Sequence, residues 1–345
     1  MAVIEIDGSQ GEGGGQILRT SLSLSLVTGE PLRITNIRAH RPKPGLRAQH
    51  LKAVEAAAAI GQADVEGASF GSRSVVFRPK DIFAGRYRFD IGTAGSTSLV
   101  LQTIFTPLSL ATAPSVITIT GGTHVKWSPA FHYLNMHWLT FMHQIGYKSD
   151  LTLDLAGFFP KGGGRVRVQI QPRGTLSPLR LTQRGGLKQV RGLSAVSNLP
   201  MSIADRQRRQ ALRRLSGLGC PVEIETIQMP SRGKGTMLLL VSIFENCQAC
   251  YTGLGERGKP AERVADEAVE AMLAFMSTEG VIDEYLADQL LLPLTLATGV
   301  STFRTSKVTQ HLLTNAAVIR AFACARIVIE GEIGEPGLVQ VTPIG

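Results

Sequence analysis

Gln310-His311-Leu312, with Ala316, Ile319 and Ala323 following at helical spacing, restates an earlier stretch, Gln49-His50-Leu51, almost residue for residue. A looser third copy is Phe131-His132-Tyr133-Leu134. Working outward, each copy is preceded by another helix start. The first runs from Gln16 to Gly29, the second from Ser96 to Leu110 and the third from Tyr285 to Gly299. Each copy is followed by alternating β-branched segments around Gly or Pro. These are Ser74–Phe77, Arg165–Ile170, and Arg326–Ile329 with Leu338–Val341. Two helices and a small sheet bury a core by packing the helices on one sheet face. The pattern predicts an α+β fold of the α/β sandwich type, built from three βαβαββ-like repeats.

The third repeat is interrupted. From about Leu187 to Thr278 a different pattern reads as strand Gln189–Arg191, helix Ile203–Leu218, strands Val222–Ile227 and Met237–Phe244, and helix Ala261–Met276. The expected layout is a βαββα insertion at 186–278 in a body made of 1–185 and 279–345. Gly185-Gly186 and Glu279-Gly280 mark the seams.

The 345 residues, 43% hydrophobic and 18% charged, describe an ordinary globular chain. No apolar run reaches the ~20 residues of a membrane span. Met1–Asp7 lacks the basic start of a signal peptide. Four irregularly spaced cysteines make no disulfide framework and suit a reducing cytoplasm. The net charge of +9 favours anionic partners: nucleic acids, nucleotides or anionic membranes. Nothing in the sequence fixes a subunit number.

Several stretches could carry chemistry. Gly11-Glu12-Gly13-Gly14-Gly15 lies between a strand and a helix, where backbone N–H groups can face an anion. A tight structural turn explains it equally simply. No Walker lysine follows, and Gln16 occupies the last glycine position of a dinucleotide motif. Arg38-Ala39-His40-Arg41-Pro42-Lys43-Pro44-Gly45-Leu46-Arg47 is a rigid basic loop suited to phosphates, and Arg19 stands near the glycines. Gly92–Thr97 is a second small-residue turn before a helix. His311, after Ser306-Lys307 and Thr309, is a candidate nucleophile, and Asp288 is a helix cap or metal ligand. Cys247-Gln248-Ala249-Cys250 lacks the second pair a zinc site needs. His132, His137 and His143, spaced by five and six, share no α-helical face. Arg206, Arg208, Arg209, Arg213 and Arg214 form a basic stripe, read as a solvated face or an RNA contact.

Taken together these stretches resemble the RNA 3′-terminal phosphate cyclase family. The resemblance rests on Asp7–Arg19, Arg41–Leu46, Gln49–Leu51, Gly95-Ser96 with Leu99–Thr103, Gly121–Thr123, Glu284–Gln289 and His311–Asn315, in the family's order. It implies the threefold fold with its insertion, and a true cyclase with the nucleophilic histidine present. The implied activity is ATP-dependent conversion of an RNA 3′-phosphate to a 2′,3′-cyclic phosphate, through a histidine–AMP and an RNA–adenylate intermediate. His311 would accept AMP. Glu12, Arg19, Arg38, Arg41 and Gln49 would be catalytic. Gln102, Pro129, Tyr133, Tyr285, Asp288 and Gln289 would bind nucleotide. Glu12 and Asp288 would hold a divalent metal, Mg²⁺ or Mn²⁺. The implied partners are ATP and RNA with a 3′-phosphate, with no membrane. Where the family often has Asp, this chain has His124 and His132. The competing readings are a non-catalytic RNA-binding ribosome-assembly factor, against which His311 argues, and an enolpyruvyl transferase, whose chemistry needs no histidine–AMP.

Overall fold

A computed structural model describes residues 3–344; Met1, Ala2 and Gly345 lie outside the described residues, the first two within the N-terminal stretch read above. The first unit contains β1 (Ile4–Asp7), α1 (Gly15–Thr28), β2 (Leu32–Thr35), α2 (Ala48–Gly61), β3 (Asp64–Glu66) and β4 (Val75–Arg78). The second contains β5 (Arg86–Asp90), α3 (Thr97–Leu108), β6 (Ser115–Gly121), a helix described below, β7 (Ser149–Leu155) and β8 (Gly164–Ile170). That helix has three parts: α4 (Phe131–Tyr133), a π-helical turn (Leu134–Trp138) and α5 (Leu139–Ile145). The third unit opens with the short β9 (Arg180–Leu181). An insertion follows: β10 (Leu187–Ser197), α6 (Met201–Leu215), β11 (Val222–Gln228), β12 (Gly235–Phe244), β13 (Gln248–Leu254) and α7 (Ala261–Met276). The unit then resumes with α8 (Ala287–Leu294), β14 (Ser301–Thr305), α9 (Gln310–Ala321), β15 (Ala325–Glu330) and β16 (Gly337–Pro343).

The three units share one sheet topology. Strand orders are β1-β2-β4-β3, β5-β6-β8-β7 and β9-β14-β16-β15. In each, the first pair is parallel and the other two antiparallel. The period-2 burial that makes a one-sided sheet is visible in β6 and β8, whose inward residues (Ile117, Ile119, Val166, Val168) are buried while Arg165 and Arg167 face out. The helices cover the inward faces. Leu22 and Leu24 of α1, Val54 and Ile60 of α2, Ile104 and Phe105 of α3, and Leu312 and Ile319 of α9 belong to one continuous core. Burying each such side chain contributes about 1.5–3 kcal/mol.

The insertion carries one strand beyond the expected βαββα. Its sheet runs β11-β10-β12-β13, and β13 is the stretch around Cys250. Cys250 is buried in that strand, and Cys247 precedes it. Val190, Leu238, Leu240, Val264, Ala268 and Phe275 belong to a separate core cluster beneath α6 and α7. Part of the basic stripe on α6 is neutralised there: Arg206 pairs with Glu262 and Arg214 with Asp266, both on α7.

The insertion occupies the connection between β9 and α8, the place held in the other two units by a Gly-rich turn. Where the chain re-enters the body after the insertion, buried polar groups gather around Asp283, and two bonds from β13 join them. The extra residue of the π-turn brings His137 Nε2 to 2.5 Å from Asp283 Oδ2. Asp283 Oδ1 also accepts from the Tyr133 hydroxyl at 3.0 Å and from the backbone N–H of Tyr285 and Leu286. Gln248 of β13 donates to the Met136 carbonyl at 2.7 Å. Tyr251 of β13 donates to Glu284 at 2.9 Å.

Asp283 and His137 have no solvent exposure, so removing one leaves the other's polar atom without compensation. Asp283→Ala is expected to lower stability by about 3–5 kcal/mol. Urea denaturation followed by circular dichroism measures it, and a loss below about 1 kcal/mol would show that this pair does not anchor the segment that leads into α8.

Candidate active site

Helix starts from all three units approach one another, at Gly11 and Thr314, Gly15 and His50, and Gln49 and Ser96. The loop before α1 sets the first wall. Gly11 has φ +57°, where an L side chain is strained, and a Cβ there would lie 2.2 Å from Thr314 Oγ1 of α9. At Gly15 a Cβ would lie 2.3 Å from His50 Nε2 of α2. The glycines therefore allow α1, α2 and α9 to approach at their N-termini.

His311, in the first turn of α9, has both ring nitrogens engaged. Nδ1 faces Gln16 Oε1, and Nε2 lies 3.0 Å from Glu12 Oε2. Gln16 is oriented by its own amide nitrogen, which donates to Asp288 Oδ2 at 2.6 Å and to the His311 carbonyl at 3.2 Å. The network thus assigns the Nδ1 proton to the Gln16 side. Arg41 Nη2 contacts Glu12 Oε2 at 3.1 Å. Asn315, one turn after His311, donates to the Asp288 carboxylate and carbonyl and accepts from the Thr20 hydroxyl.

Charge in this space is mostly positive. Arg19, Arg38, Arg41 and Arg47 surround the buried His50, and burial together with these cations pushes His50 down to about 2. Burial lowers Arg19 to about 10. Burial also lowers His311 below its ordinary value, with Arg19 and Arg41 adding to the shift and Glu12 opposing it, so the ring is neutral at pH 7. Burial lifts Asp288 to about 7, against the pull of Arg19. Arg38 adopts φ +56° and donates from Nη1 to the carbonyls of Lys43 (2.6 Å) and Gly45 (2.9 Å), which stiffens the basic loop.

A cleft beside His311 is lined by Gln16, Arg19, Gln102, Asp288, Gln289 and Asn315. Gln102 donates to Gln289 at 2.5 Å, and Gln289 donates to the Tyr285 carbonyl. Tyr285 is 55% exposed, and Pro129 is half-buried in the loop after β6. Two expected residues make structural contacts. Tyr133 is buried, with its hydroxyl committed to Asp283, so it supports the segment bearing Tyr285 from beneath rather than offering an open face. Gln49 Oε1 accepts from the Ser96 N–H at 3.0 Å, joining α2 to α3.

Gln16, Asn315 and Asp283 were not singled out from the sequence. The available signal was a polar residue inside a helix's first apolar turn for Gln16, and i+4 spacing from His311 for Asn315. His124 and His132 form an internal chain. Thr123 Oγ1 accepts from the Gly157 N–H, contacts His124 Nδ1 at 2.7 Å, and His124 Nε2 meets His132 Nδ1 at 2.9 Å. No group of three His, Cys, Asp or Glu residues able to hold a metal converges among the described residues. No helix among them is long and apolar enough to cross a membrane.

A family model described as RNA 3′-terminal phosphate cyclase matches residues 10–329. The chain is 44% identical to an RNA 3′-terminal phosphate cyclase of Ralstonia nicotianae, over 95% of this chain and 94% of that one. It is 43% identical to one of Methanopyrus kandleri over the full length of both. It is 40% identical to one of Pyrococcus furiosus over 98% of each. Among solved structures, the enolpyruvyl transferase NikO from Streptomyces tendae aligns over 100% of this chain and 66% of its own, at 10% identity with a TM-score of 0.27, a likeness too slight to carry an argument.

The buried histidine chain has a pH signature. Burial holds His132 at about 4 and His124 well below its ordinary 6.5. A folded-state value below the unfolded one means that the unfolded chain takes up protons first. The stability is therefore fully present above pH 6.5 and is lost as pH falls through 4. At about 1.4 kcal/mol per unit, His132 accounts for on the order of 3 kcal/mol of that loss. Denaturant midpoints between pH 7 and 4.5 should fall less steeply in His132→Asn than in wild type; parallel curves would remove His132 from the acid sensitivity.

Proposed function

The chain belongs to the RNA 3′-terminal phosphate cyclase family, and from that premise we propose that it converts an RNA 3′-phosphate to a 2′,3′-cyclic phosphate through AMP carried on His311. The observation that carries this reading is the fixed imidazole: Nδ1 engaged by Gln16, Nε2 directed at Glu12, and arginines on either side.

With Nδ1 protonated toward Gln16, the nucleophile is Nε2. Any proton on Nε2 passes to Glu12, whose carboxylate is held by Arg41. The Nε2 lone pair attacks the α-phosphorus of ATP; a P–N bond forms and the P–O bond to pyrophosphate breaks. Arg19, Arg38 and Arg41 supply the positive field for the triphosphate and for the charge that develops in the transition state. An oxygen of the RNA 3′-phosphate then attacks the same phosphorus and displaces His311, giving an RNA–adenylate anhydride. The 2′-hydroxyl, losing its proton, attacks the terminal RNA phosphorus and expels AMP, closing the cyclic phosphate. Adenylation replaces oxide, a very poor leaving group, by AMP.

Gln102, Asp288 and Gln289 line the cleft proposed for the nucleotide, with Pro129 and Tyr285 offering faces for the adenine. Glu12 and Asp288, joined through Gln16 and His311, would hold a divalent ion such as Mg²⁺ or Mn²⁺. When bound, that ion neutralises phosphate charge. Residues 186–278 are read as an inserted domain on a body of 1–185 and 279–345. The cytoplasm is the proposed compartment, in keeping with four free cysteines.

Incubation with α-labelled ATP and Mg²⁺ or Mn²⁺, followed by denaturing electrophoresis, tests the reading. Wild type should carry acid-labile, base-stable label, and His311→Ala none. Gln16→Leu should slow labelling by roughly 10- to 100-fold through loss of ring orientation. No label on wild type with either metal would sink the nucleotidyl-transfer mechanism.

A further inference from the structure

Beyond the reactive centre, backbone packing builds a continuous floor away from Gln49. Gly95 lies against the Gln49 side chain, 2.9 Å from Gln49 Cβ to a Cβ built at the glycine. Gly162, in the turn between β7 and β8, packs on the Thr93–Ala94 backbone, where a Cβ would lie 2.7 Å from the Thr93 carbonyl oxygen. Gly163 then faces the Arg232 side chain, and Gly233 faces that of Lys161. Lys161 Nζ donates to the Arg232 carbonyl at 3.3 Å. The Ala156 N–H donates to the Pro230 carbonyl, fixing the turn to the insertion. A surface strip thus runs from Gln49 over Thr93–Ala94 to residues 159–163 and 231–234.

The cations on this strip stand without acidic partners beside an exposed ring. In the insertion Lys188, Arg206, Arg214, Lys259 and Arg263 each have an acidic partner within 4 Å, whereas Arg191, Arg208, Arg209, Arg213 and Arg257 have none among the described residues. Lys161, Arg232 and Lys234 are exposed and have no acidic partner among the described residues. Beside them Phe159 is 79% exposed. Unpaired cations interleaved with an open aromatic ring match a single strand of nucleic acid, whose phosphates seek the cations and whose bases stack on any ring.

We propose that the 159–163 turn and the 231–234 turn grip the RNA strand on the 5′ side of its reacting end, with Lys161, Arg232 and Lys234 on phosphates and Phe159 stacked on a base. This rests on the reading of His311 as the adenylated nucleophile of an RNA-end enzyme. It gives the insertion a part in substrate binding, at a surface apart from the nucleotide cleft.

The test compares a 3′-phosphorylated RNA of about twelve nucleotides with a 3′-phosphorylated dinucleotide. The proteins are wild type, the triple variant K161Q/R232Q/K234Q, and Phe159→Ala. Binding of the longer RNA is followed by fluorescence anisotropy over a salt series, and labelling by α-labelled ATP is measured in parallel. The triple variant should bind the longer RNA roughly tenfold more weakly, and its salt slope should fall by about 2, near 0.7 per lost phosphate contact. Its labelling of His311 and its turnover of the dinucleotide should match wild type. Phe159→Ala should weaken binding without changing the slope. A triple variant with wild-type affinity and slope overturns the inference alone. A wild type that takes no label overturns the functional reading, and this inference with it.

Discussion

The side-chain amide of Gln16 is the smallest piece of this structure on which the most depends. Its nitrogen bridges Asp288 and the His311 backbone, and its oxygen meets the His311 ring. One group from the first unit thereby fixes a carboxylate on one helix of the third unit and the imidazole on another. Without that bridge the ring could present either nitrogen, and Asp288 would lose its short hydrogen bond in a buried setting that already disfavours its charge. Close approach at Gly11 and Gly15 is the steric condition for the bridge.

What could be read in the sequence, and what could not, follows from the range of the interactions. The three units were legible because periodicity is a local property that repeats. Alternation in Arg165–Ile170 and helical spacing after His311 each need only a short window. The strand β13 was not, because Gln248–Leu254 mixes small and polar residues whose pairing with β12 is a tertiary fact. Glu12 and the role of His311 came with the family resemblance, whereas the basic loop stood out by chemistry and position. Gln16, Asn315 and Asp283 did not, because their partners lie far along the chain: Gln16 with Asp288, Asn315 with Thr20, Asp283 with Tyr133 and His137. Tyr133 and Gln49 were flagged, but their bonds to Asp283 and to Ser96 are tertiary facts that residue type alone does not give.

The insertion is joined to the segment that carries Tyr285 and Asp288 by more than its two chain connections. Gln248 and Tyr251, both on β13, reach Met136 and Glu284. Glu284 also accepts from Ser306. At the start of α8 it is Asp283 that accepts the N–H groups of Tyr285 and Leu286. The third unit has no glycine cradle of its own, and it contributes His311, the proposed nucleophile, instead.

This division of parts among units has a consequence for how the protein is made. Glu12, Arg19, Arg38 and Arg41 leave the ribosome early, and His311 follows only after the insertion and α8. The order of parts along the chain becomes an order in time. A nascent chain can hold the arginine-rich cradle and its core helices long before it holds the imidazole. A truncated product, however well its first two units fold, has the arginines and lacks the imidazole that we propose as the nucleophile.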